Sequence, residues 1–214
     1  MDILDEAKQE VQKEGFIRIY KNYGKYLVGL LLVTLIFLVS YFWWQSYQES
    51  VILDEANEYN NALSMNKKGT ISKLENLKEK KGIYGALAQL QLAAIYIDEK
   101  DFNRAIHNYE QLVKRKSINN LYLDYAKLML IKTKLVYGKI TDEVAIKLFK
   151  EYLDDSVYFQ NIARIAMSVL LVNQKGGKEE IFSELNLVMT DINTSETLIN
   201  LAKIIRKRAN KNLN

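Results

Sequence analysis

The sequence contains neither cysteine nor proline, and it has a single histidine among its 214 residues. The absence of cysteine excludes disulfides, thiolate zinc sites, iron–sulfur clusters and a cysteine nucleophile, and a single histidine excludes metal sites built from several imidazoles. A chain of this length would contain about ten prolines at average usage. Their absence argues against proline-punctuated loops, β-sandwiches and polyproline linkers. This composition favours long helices joined by short turns.

An uncharged segment of 23 residues lies between Lys25 and Glu49. From Tyr26 to Trp44, twelve residues are Leu, Ile, Val or Phe, and each favours insertion by about 0.3–0.6 kcal/mol near a membrane helix centre. The segment therefore predicts a transmembrane helix at residues 26–47. A buried core helix is the alternative, and a cleaved signal peptide fits less well because the apolar run is long and ends in bulky aromatics. The predicted anchor residues are Tyr26, Leu30, Ile36, Phe37, Trp43 and Trp44.

The positive charges around this segment predict its orientation. The first cation after it is Lys67, whereas several cations precede it within a short distance. The positive-inside rule therefore predicts a cytoplasmic tail at residues 1–25 and an exported, periplasmic domain after the span, in a bacterial inner membrane. Four of the cations that precede the span are Lys13, Arg18, Lys21 and Lys25.

The exported part of the chain shows helical periodicity interrupted by short polar turns. We expect connecting helices at residues 48–82 and a repeat domain at residues 83–214. Its hairpins begin near residues 83, 120 and 157, and a spacing of about 37 residues is typical of stacked helical repeats. The predicted helices of this domain span residues 83–98, 101–116, 120–137, 141–154, 156–174, 178–190 and 195–210.

Residues with capping chemistry mark the predicted helix ends. Thr141, Ser156 and Ser195 are expected to be N-caps, because their hydroxyl oxygens can accept from a free N–H of the first turn. Gly138 and Gly176 stand where helices are expected to stop. The last helix ends in a basic stretch, residues 203–211, which is expected to be the solvated outer face of a capping helix.

One stretch of the repeat domain carries a recognisable motif. Gln89-x2-Leu92-Ala93-x2-Tyr96, followed by Ala105-x3-Tyr109, resembles a tetratricopeptide repeat. Gln89 replaces the usual Trp, Ala93 the usual Gly and Ser117 the closing Pro. Later units keep only the second-helix half of the pattern. An all-α array of antiparallel hairpins is therefore expected, with an unrelated helical bundle as the alternative. The predicted packing residues are Leu92, Ala93, Tyr96, Ala105, Tyr109, Ala145 and Phe149.

A wider resemblance covers almost the whole chain. A charged tail ending in Tyr20-Lys21-Asn22-Tyr23-Gly24, one span ending in aromatics, a helix from Tyr47 to Tyr59 and a degenerate repeat domain together resemble the YfgM-type ancillary subunit of the Sec translocon. The resemblance implies a single-pass inner-membrane protein with a periplasmic domain. It also implies that the translocon and a membrane-anchored periplasmic chaperone are partners, and that the protein helps to hand over exported proteins.

The residues give little support to an enzyme. His107 is expected to be exposed and without a chemical role, and no phosphate-binding glycine motif occurs in the sequence. We therefore predict no catalytic residue, no cofactor, no metal, no small-molecule substrate and no nucleic acid partner.

Binding of proteins remains as the function. The first helices of stacked hairpins line a concave surface, and Tyr and Met there suit an adaptable protein-binding groove. The alternative is that this stripe is core between hairpins. An alternative function is a scaffold subunit of an unrelated envelope assembly, such as a division or secretion apparatus, with a fixed partner. The candidate groove residues are Leu90, Ile97, Tyr122, Tyr125 and Met129.

Overall fold

The structure is a computed structural model that describes the backbone of residues 3–116 and 118–212 and the side chains of residues 26, 29, 30, 33–116 and 118–212. The side chains of the predicted tail, residues 1–25, lie outside the described residues, and so does Ser117. The same holds for four apolar side chains of the predicted span. These four are Leu27, Val28, Leu31 and Leu32.

The chain divides into two compact units, residues 1–54 and residues 55–214. The first unit consists of most of helix α1 (Ile3–Leu63). All six predicted anchor side chains are more than 60% exposed, and the hydroxyl of Thr34 donates to the carbonyl oxygen of Leu30 at 2.9 Å. In the part of the chain that the structure describes, no helix combines the length and the apolar character needed to cross a membrane.

The second unit contains the end of α1 and all the helices that follow. Every regular element among the described residues is an α-helix, so the all-α prediction is confirmed. The helices after α1 are α2 (Lys67–Leu77), α3 (Ile83–Asp98), α4 (Phe102–Val113), α5 (Asn120–Val136), α6 (Asp142–Asp155), α7 (Gln160–Asn173), α8 (Lys178–Thr190) and α9 (Glu196–Asn212).

Consecutive helices pack as hairpins. The pairs α3–α4, α5–α6 and α7–α8 form the three predicted units, and α9 packs against both α7 and α8 at the end of the array. The first and last residues predicted for α3 and α8 coincide with those observed. Local signals explain this agreement, because polar turns and apolar periodicity set the ends of these helices without help from distant residues.

The turn between α6 and α7 differs from the prediction. Ser156 is the residue that ends α6, and α7 begins only after Phe159, which has a left-handed backbone with φ of 60°. The cause is a distant side chain. One carboxylate oxygen of buried Asp124 accepts from the backbone N–H groups of Val157 and Tyr158, at 3.0 and 3.1 Å. These bonds hold the turn in a non-helical path.

The end of α7 also differs in detail. Gly176 stands just beyond the end of this helix, as expected, but the residue with the left-handed backbone is Lys175, with φ of 55°. The N–H of Gly176 then donates to the carbonyl oxygen of Leu171 at 2.8 Å, which closes the helix end. At the end of α5 the prediction holds, since Gly138 has φ of 68°.

Three separate clusters of buried apolar side chains form the core of the second unit. One links the end of α1 with α2, α3 and α4, and a second links α3, α4 and α5. The third and largest extends from α5 to α9. No cluster runs the full length of the array, as expected when each hairpin is buried by its neighbours.

The α2–α3 connection passes very close to the helix that follows it. Arg115 donates hydrogen bonds to the carbonyl oxygens of Lys78 and Lys80, just after the end of α2. Gly85, in the first turn of α3, lies against the same Lys80 carbonyl. A Cβ atom at Gly85 would lie much closer than 3.0 Å to this oxygen, and Cβ atoms essentially never make contacts that short. Only glycine fits this approach.

Candidate functional site

A groove in the second unit contains most of the candidate binding residues. Its volume is about 400 Å³, and Leu90, Ile97, Tyr125 and Met129 line it, so four of the five predicted residues share one cavity. The rest of the lining comes from α1, α3, α4 and α5. These residues are Tyr59, Leu87, Gln91, Ala94, Asp98 and Tyr109.

Helix α3 supplies the floor of the groove. Its lining residues recur at three- and four-residue intervals from Leu87 to Asp98, which places them on one face of the helix. Ala94 is the smallest of them and is exposed, so the groove is open at this point. Asp98 adds an exposed carboxylate near the end of α3. The groove therefore combines an apolar floor with a negative charge.

A smaller apolar cavity of about 140 Å³ adjoins the groove. Ile97 and Met129 line both cavities, and Val136 and Lys132 of α5 extend the surface toward the end of that helix. Val136 is 77% exposed although it is aliphatic. The two cavities together give a continuous apolar surface along α3 and α5, which is the pattern expected of a site for a polypeptide segment.

Tyr122 lies elsewhere. It lines a separate cavity of about 220 Å³ with Ile118 and Leu121, in the first turn of α5. The sequence placed Tyr122 on the same face as Tyr125 because three residues on a helix are close neighbours. The turn before α5 brings Ile118 against it instead, and this contact cannot be seen in the helical spacing.

Two tyrosines of the groove are held in their neutral form. Burial raises the pKa of Tyr109 well above its usual range, and the nearby Tyr125 raises it further. Burial also raises the pKa of Tyr59. Tyr59 packs against Tyr84, with ring centroids 6.0 Å apart. Both side chains are therefore uncharged near neutral pH, but only Tyr59 is partly exposed, because Tyr109 is buried at 2% exposure.

The predicted packing residues all lie in the core, and each is no more than 2% exposed. Leu92, Tyr96 and Ala105 belong to the cluster that includes α2, whereas Ala93 and Tyr109 belong to the cluster shared with α5. The first hairpin is therefore packed on both sides. Two more predicted residues, in the largest cluster, are Ala145 and Phe149.

Tyr96 also belongs to a polar network at the edge of the first hairpin. Its hydroxyl donates to a carboxylate oxygen of Glu75 at 2.9 Å, and the guanidinium of Arg104 lies 4.2 Å from the centre of its ring. Burial alone would raise the pKa of Glu75, but hydrogen bonds from Lys78 and Tyr96 outweigh it and lower that pKa. The network joins α2 to α3 and α4.

The substitution at the Trp position of the motif leaves an unusual polar contact in the core. Gln89 is 2% exposed, and its amide nitrogen donates to the side-chain oxygen of Gln111 at 3.2 Å. Its own amide oxygen has no hydrogen-bond partner. A polar side chain thus occupies the space that the motif usually gives to an aromatic ring.

The described residues offer little chemistry of other kinds. His107 is exposed on α4, as expected from the sequence. Among the residues that the structure describes, no group of three or more His, Cys, Asp or Glu side chains could hold a metal ion.

Gln91 and Tyr59 are among the groove residues that sequence reasoning missed. Gln91 follows Leu87 by four residues, so extending the α3 stripe through every three- and four-residue step would have found it. Tyr59 reaches the groove from α1, which is separated from α3 in the sequence by the whole of α2. No local signal links Tyr59 to α3, and its place depends on how the hairpins stack.

Comparison with known proteins identifies the relatives of the chain. The family described as tetratricopeptide repeat-like domain matches residues 18–176. The ancillary SecYEG translocon subunit of Buchnera aphidicola subsp. Schizaphis graminum (strain Sg) is 28% identical over 181 residues, which cover 82% of this chain and 90% of that protein. No solved structure shows significant similarity to the chain.

These matches agree with the motif read from the sequence. The matched range contains the repeat at Gln89–Tyr109 and begins ahead of the uncharged segment. They confirm the resemblance to YfgM-type proteins and indicate a protein-interaction role. The chain therefore belongs to the tetratricopeptide repeat-like domain family.

Proposed function

We propose that this protein is a membrane-anchored, periplasm-facing interaction subunit that works beside the Sec translocon and assists the handover of exported proteins. The relative named as an ancillary translocon subunit carries this proposal, because the similarity extends over 90% of that protein. An anchored periplasmic chaperone is the second partner that we propose. Binding and positioning, without a catalysed reaction, are the activity.

The anchor in this proposal is the segment at residues 26–47. Its 12 aliphatic or Phe residues up to Trp44 would favour insertion by roughly 4–7 kcal/mol in total. Trp43 and Trp44 are 76% and 61% exposed, and exposed aromatics at the end of an apolar helix suit the interface between lipid and water. The family match starts at residue 18, so the matched range includes this segment.

The groove between α3 and α5 is the proposed contact surface for client or partner proteins. Its apolar floor and the accessible rings of Tyr59 and Tyr125 provide area that is favourable to bury, and Met129 provides a flexible side chain that adapts to different partners. The open edge at Ala94 and the exposed Val136 allow a segment to enter from the side.

Crosslinking in intact membranes tests the proposed partner. The tagged full chain is crosslinked in cells, purified under denaturing conditions and analysed for translocon subunits. We expect these subunits to be enriched over a control membrane protein of similar abundance. Their consistent absence, with subunits of a division or secretion apparatus in their place, would contradict the proposal and favour a scaffold role.

A matched pair of variants tests the groove. Met129→Glu places a charge on the α5 side of the groove, whereas Leu187→Glu makes the same kind of change on α8, where the side chain is 47% exposed. Desolvating the new charge would reduce crosslinks to partners several-fold for Met129→Glu, and the α8 variant would keep them. Equal loss in both variants would contradict the assignment of the partner contact to the groove.

A reporter fusion tests the topology. Alkaline phosphatase fused after residue 214 is active only on the periplasmic side, so we expect an active fusion. Green fluorescent protein exported through the same pathway stays dark, and it serves as the complementary fusion. A fluorescent green fluorescent protein fusion together with an inactive alkaline phosphatase fusion would overturn the proposed orientation.

A further inference from the structure

A further cavity lies between α5 and α6, away from the groove. Its volume is about 240 Å³, and its apolar lining includes Leu130, Ile131 and Leu148. Tyr152 closes one side, and its hydroxyl donates to the backbone carbonyl oxygen of Tyr158 at 2.6 Å. The tyrosine is therefore fixed as part of the wall.

This cavity occupies the opposite side of α5 from the groove. Leu130 and Lys134 lie about 140° and 180° around the helix from Tyr125, at 3.6 residues per turn. Tyr125 and Met129 face the groove, while Lys127, Leu130 and Lys134 face the α5–α6 cavity. The two surfaces can thus be occupied independently.

The two walls of the cavity carry opposite charges. Lys127 and Lys134 line it from α5, and Glu151 and Asp155 line it from α6. Lys134 is engaged by Glu110 at 2.6 Å, and Glu151 lies 3.8 Å from Lys147. Among the described residues, neither of the remaining two charges is in an ion pair, although they line the same cavity from opposite sides. These two are Lys127 and Asp155.

The size of the cavity limits what it can hold. Sites for cofactors and drug-sized ligands usually have volumes of about 300–1,000 Å³, and this cavity is smaller. A single large apolar side chain that inserts from a partner is the common occupant of a small apolar cavity with a polar rim. The cation at the rim would then contact an acidic residue next to the inserted side chain in the partner, and the anion would contact a basic one.

We propose that the α5–α6 cavity is a docking site for a partner polypeptide segment in which a large apolar residue is flanked by one acidic and one basic residue. The apolar side chain contacts Leu130 and Leu148, the acid contacts Lys127, and the base contacts Asp155. This site goes beyond the proposed translocon role, since it requires neither the groove nor the membrane anchor.

Three capped tripeptides test the proposal, with the full chain in lipid nanodiscs. Acetyl-Glu-Phe-Lys-amide has the complete pattern, acetyl-Glu-Ala-Lys-amide lacks the apolar anchor, and acetyl-Lys-Phe-Lys-amide has two like charges. Binding is followed by NMR of the leucine and isoleucine methyl groups. We expect the complete peptide to perturb the signals of Leu130, Ile131 and Leu148, and to bind about tenfold more tightly than the alanine peptide.

A charge reversal at the rim tests the specificity. Lys127→Glu gives the cavity two acidic walls, so the preference should change to acetyl-Lys-Phe-Lys-amide, by about two- to fivefold. Lys132→Glu makes the same change on α5 but faces the adjoining cavity of the groove, and it should leave the order of affinities unchanged.

Several results would overturn the proposal. One is equal affinity for the phenylalanine and alanine peptides, and another is signal changes confined to the groove residues. A third is an order of affinities that Lys127→Glu leaves unchanged. None of these results bears on recovery of translocon subunits, so the docking site and the proposed function can fail separately.

Discussion

Substitution of Gly85 by alanine is expected to destabilise the repeat domain far more than an ordinary Gly→Ala change in a helix. The new Cβ would overlap the carbonyl oxygen of Lys80, and it would lie 2.9 Å from the carbonyl carbon and 3.1 Å from the guanidinium of Arg115. The clash is with backbone, so a side-chain rotation cannot relieve it. Either α3 shifts, or the α2–α3 connection moves away from Arg115.

Both responses have a known cost. Overpacking in a close-packed region costs about 1–3 kcal/mol, and loss of a hydrogen bond from a charged donor costs about 1.5–3 kcal/mol. We therefore expect Gly85→Ala to lower the free energy of unfolding by about 2–4 kcal/mol, which corresponds to a fall of roughly 5–15 °C in the unfolding midpoint. Circular dichroism of the full chain during heating measures this shift.

Gly177→Ala is the matched control. No atom lies within 4 Å of a Cβ built at Gly177, and its φ of −58° suits alanine. Its effect should remain below about 1 kcal/mol. A Gly85→Ala midpoint within about 2 °C of the wild type would refute the close-approach argument. The argument also requires coupling to Arg115, so strict additivity of Gly85→Ala and Arg115→Gln would count against it.

Three further substitutions test individual contacts. Asp124→Ala should cost about 2–4 kcal/mol and speed hydrogen exchange at the Tyr158 amide, because a buried acceptor of two N–H groups is lost; unchanged exchange would exclude this role. Tyr96→Phe should cost about 1 kcal/mol in urea unfolding, since one hydroxyl donor is lost, and a neutral result would show that its bond to Glu75 is not stabilising. The pKa of Glu75 is lower in the folded state than in the unfolded state. Its ionised carboxylate therefore stabilises the fold fully at pH values above its pKa in the unfolded chain, and this stabilisation is lost as the pH falls through its pKa in the folded chain. The destabilisation caused by Glu75→Gln should therefore shrink in acid, and a constant difference from neutral pH to about pH 3 would contradict this.

Local sequence signals predicted most of the helices but not every turn. Thr141 caps α6 as expected, accepting from the N–H of Val144 at 3.4 Å, because capping chemistry acts within one turn of helix. Ser156 has the same chemistry and does not cap α7. Its turn is held by Asp124, more than 30 residues away, and no local pattern encodes such a contact.

The candidate groove could be predicted to the extent that it follows a helix face. Leu90 and Ile97 were found because they repeat at helical spacing on α3, and Met129 because it shares a face with Tyr125. Tyr122 fits the same spacing but lines a separate cavity with Ile118 of the preceding turn. Tyr59 lies on α1, far from α3 and α5 in the sequence, so only the packing of the helices could place it in the groove.

The division of the core into three clusters bears on how this domain loses its structure. Each cluster joins neighbouring helices, and none joins α2 to α9. Opening of one end then exposes only the apolar surface of that end, at a free energy below that of global unfolding. The array should therefore open in stages, so that one end can yield to a bound partner while the other keeps its fold.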